Sequence, residues 1–217
     1  MNYSINIPDS INQITLEAYQ QVQALKEPTE AQVLKSLFGL SQKDLAKIPL
    51  KQVKKINKKI DKLFHEETEF VVRFKIDDIE YGFIPNLDDI TYGENRDISS
   101  YLGKWTDMHK AMAVMYRPIT TRIKDKYSIE AYETSSKYSE VMKQAPLGVV
   151  LGAMVFFCHL TNELASYIQS YLQSEATLLQ LQEDSVASGE QLKNYIHSLK
   201  ATYEDLTKSL NYGFIYV

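Results

Sequence analysis

From Gln144 to Asn162 the chain carries no formally charged side chain over nineteen positions, and this run constrains the fold more than any other. Such a segment must be buried, either in a protein core or in a bilayer. Gly148 and Gly152 stand in it four apart, the small-residue spacing that lets helices approach closely in membranes. The continuous apolar part, Leu147 to Cys158, covers only twelve residues, whereas a span needs about 20. Gln144, Pro146, His159, Thr161 and Asn162 interrupt its ends, and no positively charged flank follows. A buried core helix is therefore expected, with no membrane span, and the glycines are expected to mark a close helix crossing.

The helical pattern runs from Leu147 to about Gln182 and breaks in the polar stretch EDSVASGEQ around Gly189. Leu192, Ile196, Leu199, Tyr203, Leu206 and Leu210 then follow at alternating steps of four and three, a heptad seam. Two helices joined by a short break predict a long antiparallel helical hairpin, with self-association through the second helix as an option. Tyr212-Gly-Phe-Ile-Tyr-Val217 follows without side-chain charge. Tyr212, Phe214, Ile215, Tyr216 and Val217 are the candidate partner-binding residues, although folding back onto their own domain is the favoured reading.

Ahead of this region the pattern is mixed. Asn2–Ile7 reads as a short extended piece, and Thr15 as the cap of a helix from Leu16 to about Lys26, broken at Glu27-Pro28. Thr29-x-x-Gln32 is a capping box opening a helix toward Phe38, with Gly39 as its stop. Ser41 caps a very short third helix. Leu50–Phe64 is the clearest amphipathic helix, with Leu50, Val53, Ile56, Ile60 and Leu63 on one face. Glu69–Ile76 and Ile79–Ile84 predict a hairpin turning at Asp77-Asp78, ended by Pro85. Asn86–Asp97 reads as an acidic loop, Ile98–Leu102 as a helical turn, and Thr106–Tyr116 as a helix stopped by Arg117-Pro118. Lys126–Tyr132 is expected to be extended, and Ser135–Gln144 helical. The fold class expected is thus α+β and predominantly α-helical, with helices around a small antiparallel hairpin at about 69–84. Residues 1–145 form the N-terminal region and 146–217 the C-terminal helical hairpin with its tail, the two expected to make one compact unit.

The chemistry-bearing residues do not converge. A chain of 217 residues can bury its own core without staples, and the single cysteine, Cys158, reads as a small buried residue. One cysteine fits a reducing compartment, and MNYSINIPDS shows no secretory signal. His65, His109, His159 and His197 never pair at metal-ligand spacing. His109, near Asp107, is the one candidate base, with a structural role the better reading. Asp88, Asp89, Glu94 and Asp97 lack the alternating ligands of a calcium loop. Serines and glycines form neither a nucleophile elbow nor a phosphate cradle. No catalytic residue, metal or cofactor is expected. Arg117 is placed for a buried bidentate pair with one of the nearby carboxylates, which would lock the insert to the scaffold together with Pro118 and Pro85.

Charge is unevenly spread. Lys43–Lys62 holds eight lysines against Asp44 and Asp61, whereas Gln144–Leu192 holds five acids and no Lys or Arg, in a chain of net charge −4. Attraction between the two within the fold or across subunits is one consequence. A nucleic-acid role for the basic helix is the reading from another functional class. No arginine or aromatic interleaves with the lysines, so a solvated face or subunit contact is favoured over it.

Between Tyr81 and Tyr132 the text YGFIPNLDDITYGE, HKAMAVMYRPI and YSIEAY is dense in aromatics and prolines. Together with Ile7-Pro8, Ile14-Thr15-Leu16, Tyr19 and Phe156-Phe157, it resembles a family of small virion and morphogenesis proteins of tailed bacteriophages of Bacteroidetes hosts, the crAss-like phages and their relatives. The resemblance covers about residues 5–172. It implies a non-enzymatic component assembled in the host cytoplasm and resident in the virion, whose partners are other phage structural proteins. A transient tail-assembly chaperone is the alternative within that class.

Overall fold

The computed structural model describes residues 8–40 and 42–160. Backbone contacts divide the chain into two compact units, Met1–Ala153 and Met154–Val217. Of the second unit, residues 154–160 are described and are helical, with the rings of Phe156 and Phe157 edge to face at 5.5 Å between centroids. The extended piece expected at Asn2–Ile7, the Ser41 cap, the break at Gly189, the heptad helix and the tail residues Tyr212, Phe214, Ile215, Tyr216 and Val217 lie outside the described residues.

The first unit is mainly helical with one antiparallel sheet, an α+β arrangement. Helix α1 (Leu16–Gln23) starts where the Thr15 hydroxyl accepts the Ala18 N–H at 3.2 Å. It ends sooner than the expected Lys26. Pro28 denies Glu27 the helical region, Glu27 takes a φ of 51°, and the unwinding reaches back to Ala24. Helix α2 (Glu30–Phe38) has both bonds of the Thr29/Gln32 capping box, and Gly39 closes it with a φ of 66°. The short α3 (Gln42–Leu45) leads to α4 (Leu50–Phe64), which buries Ile56, Ile60 and Leu63.

Four strands lie in sequential order: β1 (Arg73–Ile76), β2 (Ile79–Phe83), β3 (Tyr116–Ile123) and β4 (Lys126–Ile129), all neighbours antiparallel. The expected hairpin is present but is half of a larger sheet, and its first strand is shorter than residues 69–76. The backbone of Glu69 and Phe70 leaves the ladder to lie beside Gly152, where a β-carbon would sit 2.2 Å from the Glu69 carbonyl oxygen. At Gly148 the same test meets Asn12 Oδ1 at 2.2 Å. The two glycines do mark close approaches, but to the single 3-10 turn Ile11–Gln13 and to the irregular segment at Glu69–Phe70 rather than to a crossing α-helix.

Two further expectations are corrected. The stretch expected as loop plus helical turn holds α5 (Tyr92–Tyr101), started by a second capping box in which Thr91 and Glu94 bond reciprocally. Arg117-Pro118 does end the preceding helix, as proline and the residue before it must. However, the chain passes straight from α6 (Met108–Met115) into β3, so both residues are strand residues.

One sheet face carries Phe74, Tyr81, Phe83 and Tyr116, whose rings meet at 5.1–5.9 Å in stacked and edge-to-face pairs. On the other face Gly82 makes room for the Tyr127 ring, and the Tyr127 hydroxyl donates to the Phe83 carbonyl at 2.8 Å. Helix α6 is buried at every position except Lys110 and packs against α5 and α7 (Ser136–Met142). An all-round apolar helix of this kind belongs in the centre of a core. Residues 147–153 are also helical. The turn before them is tied to the N-terminal segment by Leu147 N–H to Ile14 O at 2.8 Å and Leu16 N–H to Ala145 O at 2.9 Å.

Candidate functional site

Arg117 emerges from β3 almost fully buried, at 6% exposure. Its Nη1 donates to Glu94 Oε1 at 2.5 Å and to the Val114 carbonyl at 3.4 Å, and its guanidinium lies over the Tyr132 ring, 5.5 Å from the centroid. Arg117 Nε is buried without an acceptor, so the contact with Glu94 runs through one nitrogen rather than two. Glu94 divides its oxygens: Oε1 holds Arg117, while Oε2 takes the N–H and hydroxyl of Thr91, both at 2.7 Å. One carboxylate thereby caps α5 and ties it to the sheet.

A second layer surrounds this pair. The Tyr132 hydroxyl donates to Asp97, which also takes Arg96 Nε at 2.9 Å and Nη2 at 2.8 Å. Glu130 accepts from Lys137 and from the Tyr138 hydroxyl, and its backbone N–H reaches the Pro118 carbonyl at 2.9 Å. Burial opposes the charge on Glu94, but the bonds from Thr91 and Arg117 outweigh it and hold the carboxyl below its ordinary range. The Tyr132 hydroxyl bond and then Arg96 hold Asp97 low as well. Burial and the bond to Asp97 push Tyr132 up to about 12. Near neutral pH these groups neither give nor take a proton readily, so the cluster's chemistry is that of a brace.

Pro118, half-buried, sits opposite Tyr81 in the β2–β3 pairing. Pro85 is exposed just beyond β2, after Ile84, whose N–H reaches the Met115 carbonyl at 3.0 Å. His109 is buried on α6 with Nδ1 at 3.1 Å from Gln20 Nε2, and that amide also donates to the Trp105 carbonyl. Asp107 pairs with Lys110 at 2.7 Å rather than with His109. Burial, then the cations of Lys143 and Lys110, lower the His109 pKa, which leaves a neutral ring joining α1 to α6. Burial pushes the Cys158 thiol up. Among the described residues no three His, Cys, Asp or Glu side chains gather at metal-binding distance, and no helix is long and apolar enough to cross a membrane.

Sequence reasoning placed Glu94 among four carboxylates open to pairing with Arg117 or to capping a helix, but did not single it out, although Thr91-x-x-Glu94 is a capping-box signal. It also missed the free end of the sheet. From Thr120 to Lys126 every residue is exposed, on both faces of the β3–β4 ribbon, and Ile123 is 70% exposed beside the Lys124-Asp125 turn. The β1–β2 turn lies at the same end, where Ile79 is 50% exposed and Glu80 faces Arg122 at 3.6 Å. Comparison of the chain with protein-family models, curated proteins and solved structures finds no match.

Proposed function

We propose that the chain is a non-enzymatic virion or morphogenesis protein of a tailed bacteriophage, resident in the particle and working through contacts with other structural proteins. The observation that carries this reading is the free end of the sheet. It offers two tight turns, two exposed isoleucines and a ribbon open on both faces, all mounted on a buried brace. Exposed β-branched residues on a rigid ribbon suit strand or surface pairing with another chain. The braced Arg117–Glu94 pair and the neutral, amide-bonded His109 fit a scaffold better than a reaction centre. The aromatic and proline-rich text between Tyr81 and Tyr132 supplies the phage resemblance.

The test is quantitative mass spectrometry of purified particles, with the I79D/I123D variant supplied in place of the natural chain. A fixed copy number in mature particles supports the reading. Incorporation of the natural chain, with loss of the variant at unchanged thermal stability, assigns the contact to the sheet end. A chain required for assembly but absent from mature particles moves the function to a transient chaperone. Normal particles formed without the chain overturn both.

A further inference from the structure

Helix α4 presents a second surface, opposite the side that buries Ile56, Ile60 and Leu63. At 100° per residue, Lys51, Lys54, Lys55, Lys58 and Lys62 fall within about 100° of arc, a straight stripe roughly 17 Å long. All five are exposed, and among the described residues none has an ion-pair partner. Lys59, on the flank, reaches Asp9, and Asp61, the one carboxylate bordering the stripe about 20° beyond Lys54, faces His65 at 3.7 Å. Lysines three and four apart repel one another and disfavour the helix that carries them. In a chain of net charge −4, this concentration is unrelieved by carboxylates that the rest of the chain has in surplus.

We propose that the α4 stripe is a contact surface for the phosphate backbone of nucleic acid, a role beyond the protein contacts argued above and independent of them. A polyanion is the partner that fits best, because its evenly spaced negative charge matches a linear array of five cations. A duplex presents one charge per about 1.7 Å, on the order of ten along the stripe. A protein partner fits less well, since lysine is depleted in protein–protein interfaces and the stripe has no aromatic or arginine anchor. A bilayer fits less well too, because the apolar side of α4 is buried in its own domain. The lack of arginine and aromatics removes base readout and stacking, so contact is sequence-independent and rests on charge.

The experiment is fluorescence anisotropy of a labelled mixed-sequence DNA duplex titrated with the full chain between about 50 and 200 mM salt. Five phosphate contacts give a log–log slope near −4.5, an affinity loss of about 500-fold over that range. Each single change, K54Q or K58Q, reduces the slope by about 0.9. The fivefold variant K51Q/K54Q/K55Q/K58Q/K62Q loses most of the affinity at low salt, while K75Q on β1 behaves as the natural chain. If the fivefold variant does not fold, the two single changes decide the matter through the slope. Absence of binding in low salt, a flat salt response or single changes that leave the slope intact overturns the proposal. Polyglutamate displacing the probe as well as unlabelled duplex does at equal charge also overturns it, in favour of an acidic protein.

Discussion

Gly148 and Gly152 share one helix and one spacing but face different materials, and replacing each by alanine should give different results. At Gly152 a β-carbon lands 2.2 Å from the Glu69 carbonyl oxygen, 2.9 Å from its carbon and 3.3 Å from Phe70 Cα, all backbone. Restoring contact distance requires moving a main chain by about 1 Å, and overpacking of this kind costs about 1–3 kcal/mol. Alanine recovers about 0.8–1 kcal/mol of helix propensity, leaving a net loss of up to about 2 kcal/mol. At Gly148 the nearest atom, at 2.2 Å, is Oδ1 of the exposed Asn12 side chain, which can rotate away, followed by Ile11 Cγ2 at 2.9 Å. Ile11 is buried and must give by a few tenths of an ångström, so the propensity gain offsets only part of the strain, and Gly148→Ala should still lie within about 1 kcal/mol of the natural chain. For a chain of this size 1 kcal/mol moves Tm by about 2–4 °C. Thermal unfolding followed by circular dichroism should place Gly152→Ala up to about 8 °C below the natural chain, and below Gly148→Ala. A Gly152→Ala variant as stable as Gly148→Ala would refute the reasoning, because it would mean that the Glu69 backbone yields as readily as a surface side chain.

Removing one partner of the buried pair, Arg117→Met, should cost about 3–5 kcal/mol, and a double-mutant cycle with Glu94→Gln should show strong coupling by urea unfolding. Glu94 and Asp97 have folded pKa values below their ordinary ones, so the unfolded chain takes up protons first as pH falls. Their stabilisation is whole above the ordinary carboxylate range of about 3.9–4.3 and fades below it, and urea midpoints at descending pH should show a shallower fall for Glu94→Gln. Tyr132 has the opposite sign: its contribution is whole below its ordinary pKa of about 10 and is lost as pH rises through about 12, a decline that Tyr132→Phe should flatten in alkaline unfolding. Lys124 holds a φ of 56° in the β3–β4 turn, so Lys124→Gly should be neutral or stabilising by up to about 1 kcal/mol, whereas Lys124→Val should lower Tm.

Locally encoded features were the legible ones. Leu50–Phe64 keeps its expected bounds because three-and-four spacing and Pro49 define the helix, although of the expected face only Ile56, Ile60 and Leu63 are buried and Leu50 stands exposed at its start. Thr29, Gln32 and Gly39 carry their own stop and start chemistry, and the structure uses all three. The misses share a cause, which is that a local signal was given the wrong weight. The acids of residues 88–97 obscured the Thr91–Glu94 box. Arg117-Pro118 read as punctuation although Ile119-Thr-Thr-Arg-Ile123 is rich in β-branched residues, and the turn at Lys124 takes positive φ without glycine. The brace itself was half legible. Arg117 is conspicuous beside proline, but its choice of Glu94 is fixed by folding across 23 residues, and that of His109 for Gln20 across 89.

The junction of α6 and β3 has a mechanical consequence. Met115 ends the helix and Tyr116 begins the strand, with no intervening loop to act as a spring. Tyr116 is pinned by its hydroxyl to the Val71 carbonyl at 2.7 Å, and the Met115 carbonyl holds the Ile84 N–H at 3.0 Å. A pull along the strand axis at the β3–β4 tip therefore travels along the backbone into α6, which is buried at every position except Lys110. The ladder bonds to β2 are loaded together in shear rather than one after another, as in unzipping. With no loop at the junction, force applied along the strand is resisted by those ladder bonds together with the packing of α6.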